Sequence, residues 1–120
     1  MAVQNIENLL QSALKAETLR QKTISGNVAN LQTPGYRRAD VRFEELLAKA
    51  IASPDSEGEV EIEPEIFLLG QTKVNSNGND VNLENEVGKM VENTLKHTAY
   101  VRILNKKFQQ IQLAIDTTRT

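Results

Sequence analysis

The hydrophobic positions in the first quarter of the chain recur every three or four residues, as they do along one face of a helix. Between residues 3 and 31 they form one narrow stripe, which the polar run Ser25-Gly26-Asn27 interrupts. The spacing predicts a helix over about residues 3–30. Its soft point is expected at Gly26, because an interior glycine costs about 1 kcal/mol relative to alanine.

The last third of the chain has the most regular pattern. Its apolar positions step by four and three without a break from Leu83 to Ile115, which is a heptad spacing. The spacing predicts a helix over residues 83–115, roughly 50 Å long at 1.5 Å per residue, with Asn82 as its N-cap. We call its repeating positions the C-terminal seam: Leu83, Val87, Met90, Thr94, His97, Val101, Leu104, Phe108, Ile111 and Ile115.

Two short elements are predicted directly after the first helix. Thr33 to Tyr36 has the composition of a type II turn, because Pro34 fixes its own φ and Gly35 can adopt the positive φ that the third position requires. The apolar positions that follow predict a short helix over about residues 43–51. Asp40 is its expected cap, and Ser53-Pro54 is its expected stop.

The middle of the chain changes to an alternating pattern. Residues 55–69 alternate acidic and apolar side chains, which predicts a strand with an acidic face, although Pro64 restricts it to an edge. The acidic positions lack the spacing of a calcium-binding loop, so a solvated strand face is the preferred interpretation. Asn77-Gly78 further on is a hairpin signal.

These elements together predict a mainly α fold with long terminal helices. Each helical stripe is only one seam wide, so it can be buried only against another helix, either in this chain or in a neighbouring copy. We expect a coiled-coil-like terminal domain from residues 1–30 and 81–120, a loop and short helix at 31–54, and a small, irregular, β-prone insert at 55–80. Hydrophobic residues make up 39 % of the 120, below the roughly 45 to 50 % of ordinary domains.

Composition excludes several classes of function. A formal net charge of −2 gives no basic surface for nucleic acid, and the chain has no cysteine. No secretory signal or membrane span is recognisable. His97 has no partner at ligand spacing, so we interpret it as a polar seam residue rather than a metal ligand. We expect no cofactor, no metal, no small-molecule substrate and no catalytic site; an enzyme with a carboxylate site in the acidic middle is the remote alternative.

Two features have more than one interpretation. Arg37, Arg38 and Arg42 form a small basic cluster, which either is solvated or pairs with acidic residues of a neighbouring subunit. The Pro-Gly turn either only ends the first helix or also anchors the segment on an adjacent subunit through the Tyr36 side chain.

The turn and its surroundings resemble a known family. Asn27-Val28-Ala29-Asn30 followed by Thr33-Pro34-Gly35-Tyr36 is similar to the A-N-x-x-T-P-G-Y signature of bacterial flagellar rod and hook proteins. The segment from Asn82 to Ile115 resembles the C-terminal helix of the same group. Val81 to Glu86, followed by Asn105 to Phe108, is most similar to the proximal member of the basal-body rod family.

The resemblance implies a structural subunit of the flagellar rod, which assembles helically and transmits torque through the periplasm. The implied partners are further copies of the chain, a rod protein like FlgC, an adaptor to the MS ring like FliE, and the flagellar type III apparatus, which exports its substrates without a cleaved signal. A cytoplasmic coiled-coil adaptor or export chaperone is the alternative function.

The resemblance also assigns roles to two sets of residues. Phe43 and Leu47 match the pattern that early substrates present to the export gate, with core packing as the alternative. Subunit contacts are implied for the rod signature: Asn27, Ala29, Asn30, Thr33, Pro34, Gly35 and Tyr36.

Overall fold

A computed structural model describes residues 2–52, 62–70 and 72–119, with side chains from residue 6 onward. The mainly α fold with long terminal helices and a small β element between them is confirmed. In chain order the elements are α1 (Ala2–Ala29), β1 (Ala39–Arg42), α2 (Glu44–Ala52), β2 (Glu65–Leu68) and α3 (Leu83–Thr118).

The two long helices form an antiparallel pair. Asn27 of α1 contacts Glu86 of α3, while Gln21, earlier in α1, contacts Asn93, later in α3. The pair gives the molecule its elongated shape, with a longest dimension of 70 Å. The helix continues through Gly26 without interruption, and the predicted N-cap of α3 is confirmed, because the Asn82 side chain accepts from Asn85 N at 3.2 Å.

The sheet between the helices corrects two expectations. β1 pairs with β2 in antiparallel register, Val41 opposite Ile66, so residues 39–42 form a strand that the sequence pattern did not predict. Asp40 therefore does not cap the short helix; its carboxylate accepts from Val41 N at 2.8 Å. α2 begins at Glu44, because Phe43 O accepts the first helical hydrogen bond, from Leu47 N at 2.8 Å; Val41, which is β-branched and buried, lies in β1.

The predicted strand and hairpin are also only partly right. β2 is confined to residues 65–68 and begins just after Pro64, which cannot donate to a ladder. The expected stop at Ser53-Pro54 and the acidic positions 55–61 lie outside the described residues. The Asn77-Gly78 turn forms, with Gly78 at φ 80°, but the hairpin is wrong, because β2 pairs with β1 and the described residues after the turn lead into α3.

The hydrophobic core is small and lies where α1, α2 and β1 meet. Its buried members are Ala13, Ala16, Phe43 and Ile62, with Tyr100 of α3 packed against their edge. Phe43 is the largest of the four and is only 2 % exposed. The alanines allow the other elements to approach the α1 backbone closely, so few large side chains are needed to fill this space.

The face of α3 that packs on α1 is displaced from the C-terminal seam. Glu86 and Asn93 are buried on this face, with Met90, Tyr100 and Leu104 half-buried beside them. Glu86, Asn93 and Tyr100 each lie one residue before a seam position, whereas Met90 and Leu104 belong to the seam itself. Five large apolar seam residues stay exposed: Leu83 (46 %), Val87 (50 %), Phe108 (53 %), Ile111 (38 %) and Ile115 (45 %).

Candidate interface at the signature turn

The turn after α1 has the predicted geometry. Tyr36 N donates to Thr33 O at 3.3 Å, and Gly35 has φ 73°, so the type II turn is confirmed. Gly35 N also donates to Asn77 O at 2.9 Å. A Cβ on Gly78 would lie 3.4 Å from the Gly35 Cα, so the two turns meet backbone to backbone.

Asn27, the first residue of the signature, is fully buried, and both its amide nitrogen and its amide oxygen make hydrogen bonds. Its Nδ2 donates to Ala39 O at 2.9 Å and to Glu86 Oε2 at 3.3 Å. Its Oδ1 accepts from Ala39 N at 3.0 Å and from the Tyr36 hydroxyl at 3.1 Å. The Tyr36 hydroxyl therefore docks on its own chain, and Asn27 connects α1 to β1, the turn and α3.

Asn79 is the central residue that the sequence pattern missed. It is fully buried, and its Nδ2 donates to Asn30 O and to Thr33 O, each at 2.8 Å. Its Oδ1 accepts from Val81 N at 2.7 Å. The only signal in the sequence is the polar run of residues 75–80, which indicates a turn but cannot show that the turn receives the end of α1.

A buried ion pair lies beneath the turn. Arg38 Nε donates to Glu86 Oε1 at 2.7 Å, and both side chains are almost inaccessible to solvent. Burial alone would lower the pKa of Arg38, but the hydrogen bond and the charge of Glu86 outweigh it and raise the pKa. Arg38 N donates to Asp80 Oδ1 at 2.5 Å, so Arg38 binds the segment before α3 through its backbone and α3 itself through its side chain.

The other two arginines are also paired within the chain. Arg37 donates to Gly70 O at 3.3 Å and lies 3.8 Å from the Asp80 carboxylate. Arg42 covers the Phe67 ring at 4.4 Å and lies 3.7 Å from Glu65. The interpretation of the basic cluster as solvated is therefore wrong, because β2, Gly70 and Asp80 supply acidic and carbonyl partners from the same chain; pairing with a neighbouring subunit stays a prediction.

These contacts form one connected unit, which we call the signature clasp. It joins the end of α1, the turn, the start of β1, the 75–80 segment and the start of α3. Its members are Asn27, Asn30, Thr33, Gly35, Tyr36, Arg38, Asn77, Asn79, Asp80 and Glu86. Four signature residues remain exposed on its outer surface: Ala29, Thr33, Pro34 and Gly35.

A second ionic group lies nearer the middle of α1. Arg20 donates to Glu17 at 2.5 Å and to Glu44 of α2 at 2.8 Å. The hydrogen bond from Arg20 lowers the pKa of Glu44 to about 2, whereas burial raises the pKa of Glu17 despite the same partner. An open groove of about 210 Å³ passes this group between α1, β1 and α3.

The remaining predicted site residues are not gathered into one place. Phe43 lies in the core and Leu47 at its edge, where Leu47 N donates to Phe43 O at 2.8 Å. His97 is exposed on α3. Within the described ranges, no three His, Cys, Asp or Glu side chains are arranged to hold a metal ion, and none of the described helices could cross a membrane.

Comparison with known proteins gives a consistent result. A family model described as "Flagella basal body rod protein" matches residues 8–37, which include most of α1 and the whole turn. The chain is 27 % identical to the flagellar basal body rod protein FlgB of Bacillus subtilis, over 94 % of this chain and 92 % of that protein. The chain resembles the flagellar basal body rod proteins, FlgB among them.

Further FlgB proteins match over similar lengths. The FlgB of Borreliella burgdorferi is 26 % identical over 82 % of this chain and 86 % of its own length, and that of Proteus mirabilis is 25 % identical over 94 % and 95 %. At 94 % coverage, the match takes in most of both long helices and the sheet between them. The similarity to FlgB proteins therefore extends well beyond the signature.

Proposed function

We propose that this chain is a structural subunit of the proximal part of the flagellar basal-body rod. The similarity to FlgB proteins over almost the full length of both partners supports this function. The subunit assembles helically with further copies and with other rod proteins, and the rod transmits torque through the periplasm. Its work is mechanical, and its described residues provide packing surfaces and hydrogen bonds for that work.

The observation that carries the proposal is the exposed C-terminal seam. A single chain leaves Leu83, Val87, Phe108, Ile111 and Ile115 in contact with water. At about 25 cal/mol per Å² of apolar surface, covering these side chains would stabilise an assembly substantially. We therefore propose that these exposed seam residues, with Thr94, His97 and Val101, pack against helices of neighbouring subunits in a coiled-coil-like array, while the seam residues Met90 and Leu104 stay on the face that packs on α1.

Different segments of the chain have different proposed roles. Residues 1–30 and 81–120 form the helical domain that packs with neighbours, and residues 31–54 provide the signature turn and short helix. Residues 55–80 form a variable insert. The exposed signature residues Ala29, Thr33, Pro34 and Gly35 are proposed to touch an adjacent subunit, and Asn27, Asn30 and Tyr36 support that surface from beneath.

The proposed partners are a following rod protein like FlgC, an MS-ring adaptor like FliE and the flagellar type III export apparatus. Phe43 is 2 % exposed in the folded chain. We therefore propose that Phe43 and Leu47 are read by the export gate before the chain folds, and serve core packing afterwards. Export through this apparatus, without a cleaved signal, would deliver the subunit to the rod.

Complementation of a strain from which the gene is deleted tests the proposal. Ile111→Asp places a charge in the exposed part of the seam, so it should leave the single chain folded but give no rods in electron micrographs and no motility. Gln110→Asp, at an exposed position beside it, is the matched control and should restore both. Rods of normal length with Ile111→Asp, or accumulation of the protein in the cytoplasm as a stable small oligomer, would contradict the proposal.

A further inference from the structure

We propose that a polar pocket between α1 and α3, lined by Glu17 and Asn93, receives the Lys107 side chain of a neighbouring copy of this chain. The contact belongs to the assembled rod, so it rests on the proposed function and names one of the bonds between subunits. It fixes the position of one copy along the next, which an apolar stripe alone does only weakly.

The pocket lies where the C-terminal seam loses its apolar character. It has a volume of about 260 Å³, and the seam residues Thr94 and His97 line it together with Thr98. Glu17 and Asn93 line it as well, and both are buried. A helix that packs on the seam covers this pocket, so the group that enters it has to suit a polar lining.

Two buried oxygens of these lining residues lack a hydrogen-bond donor. Within the described part of the chain, neither Glu17 Oε2 nor Asn93 Oδ1 has a partner. The other polar atom of each side chain is used, because Glu17 Oε1 accepts from Arg20 at 2.5 Å and Asn93 Nδ2 donates to Gln21 at 2.9 Å. A buried acceptor without a donor is costly, so the pocket is complete only with a donor group from outside.

The charge of Glu17 indicates that this donor is a cation. Burial raises the pKa of Glu17 although Arg20 is bonded to it, so one guanidinium does not offset the loss of solvent. A lysine ammonium group has three hydrogens to donate, which is enough for both oxygens, and it adds a second positive charge beside the carboxylate. A neutral donor would supply the bonds but not the charge.

The distal half of α3 carries cations without partners. Lys89 and Lys96, in the first half, lie 3.6 Å and 3.1 Å from carboxylates of their own chain. Asp116 is the only acidic residue after residue 100. Four basic residues in this half form no ion pair with the described part of the chain: Arg102, Lys106, Lys107 and Arg119. Each copy thus has unpaired acceptors in one place and unpaired cations in another, which a head-to-tail contact between copies brings together.

Lys107 is the cation best placed for this contact. It directly precedes Phe108 of the seam, and residues that flank a seam form the ion pairs between helices of a coiled coil. Lys106 points about 100° further round the helix, away from the seam. The other positions that flank the distal seam are uncharged: Asn105, Gln112 and Ala114.

Disulfide cross-linking in assembled rods tests the contact. The chain has no cysteine, and Thr98 is an exposed residue that lines the pocket, so Thr98→Cys/Lys107→Cys places one thiol at each side of the contact. The two positions are about 13 Å apart along one helix, too far for a disulfide within a folded subunit. Rods isolated under reducing conditions and then oxidised should give at least about fivefold more dimer than Thr98→Cys/Lys106→Cys, the matched control.

A charge exchange tests the same contact without cysteine. In a strain that lacks the native gene, Glu17→Lys and Lys107→Glu should each lower the number of rods per cell at least about tenfold, because each places like charges opposite each other. All copies are identical, so Glu17→Lys/Lys107→Glu restores an opposite pair at every contact and should return rods to within about twofold of the native number. Glu17→Lys/Lys106→Glu is the matched control and should not. Glu17→Gln replaces Glu17→Lys if the latter protein is degraded, because its amide can still donate to a carboxylate.

Two results would overturn the inference. One is equal cross-linking of the Lys107 and Lys106 variants, and the other is a charge exchange that does not restore rods. Both would leave the proposed function standing, because the native chain still builds rods in the same strain. If the native gene itself restored no rods, the inference and the proposed function would both be wrong.

Discussion

The two ends of the α1–α3 pair are built on opposite principles. At one end, α3 begins within the signature clasp, where buried amide, carboxylate and guanidinium groups are bonded to partners in the same chain. At the other end, every residue of α3 from Phe108 onward is exposed, including large apolar side chains. Polar groups need a fixed geometry, whereas apolar groups need only to be covered, so the first end sets how α1 and α3 meet, and the second end is the surface that we propose packs against neighbouring copies.

Hydrogen exchange of the monomer should show the contrast most strongly. Residues 86–100 lie where α3 contacts the clasp and α1, whereas residues 108–118 are all exposed. We expect exchange about a thousandfold or more slower in the first group, because opening there approaches global unfolding. Mass spectrometry of exchanged peptides would measure this. Equal protection in a proven monomer would remove the distinction between the two ends.

Removing one member of the buried ion pair should be the most damaging single substitution in the clasp. Arg38→Met leaves Glu86 charged and buried with only Asn27 as partner, so we expect the free energy of unfolding to fall by about 3 to 5 kcal/mol. Arg42→Met, at a half-exposed ion pair, should cost less than about 1 kcal/mol. Urea denaturation measures both, and similar costs would show that burial of the pair is unimportant.

The signature itself should divide into an inner and an outer part. Asn27→Ala removes all four contacts of a fully buried amide, so it should cost about 2 to 3 kcal/mol. Asn30→Ala loses only bonds to Gly26 and Thr33 at a half-buried site, and should cost about 0.5 to 1 kcal/mol. Urea denaturation of both variants measures these costs. If Asn30→Ala lowered the free energy of unfolding more than Asn27→Ala, the contacts at the turn would contribute more to stability than those beneath it.

The sequence predicted the parts of this fold that depend on local pattern. Helical periodicity located α1 and α3, and the Pro34-Gly35 pair gave the turn type, because a positive φ at Gly35 is a local requirement. β1 was missed, since residues 39–42 become a strand only through pairing with residues 65–68, far along the chain.

The polar inner line of α3 was missed for a different reason. A periodicity argument uses only the hydrophobic residues, and in α3 these predict that the seam is the buried face. The residues that face α1 include Glu86 and Asn93, which are polar, so the same argument places them on the solvent side. Their burial depends on partners such as Arg38 and Gln21, which no spacing within the helix reveals. The same limit applies to Asn79, whose role follows from two carbonyl groups 46 and 49 residues earlier.

Two glycines should respond to alanine with opposite signs. Gly35→Ala forces a Cβ onto a residue at φ 73°, so it should destabilise the clasp by about 1 to 2 kcal/mol. Gly26→Ala lies inside α1 with nothing within 4 Å of the added Cβ, so it should stabilise by about 0.5 to 1 kcal/mol. Thermal unfolding compares the two. Equal signs would mean that the turn conformation is not needed for the fold.

The smallest effect is expected from pH, away from the clasp, at the Arg20 group. Arg20 lowers the pKa of Glu44 from 4.5 to about 2, so the stabilisation is present above pH 4.5 and is lost as the pH falls towards 2. Glu44 is half-exposed, so solvent screening keeps its contribution below about 1 kcal/mol. The stability difference between the native chain and Glu44→Gln should vanish over this range, and about 1 M salt at pH 7 should reduce it as well.

Glu17 has the opposite effect on the free energy of unfolding. Because burial raises the pKa of Glu17, its protonation at low pH stabilises the fold and partly offsets the stability lost at Glu44. A difference that does not change between pH 4.5 and 2 would show that the Arg20–Glu44 pair does not contribute through its charge.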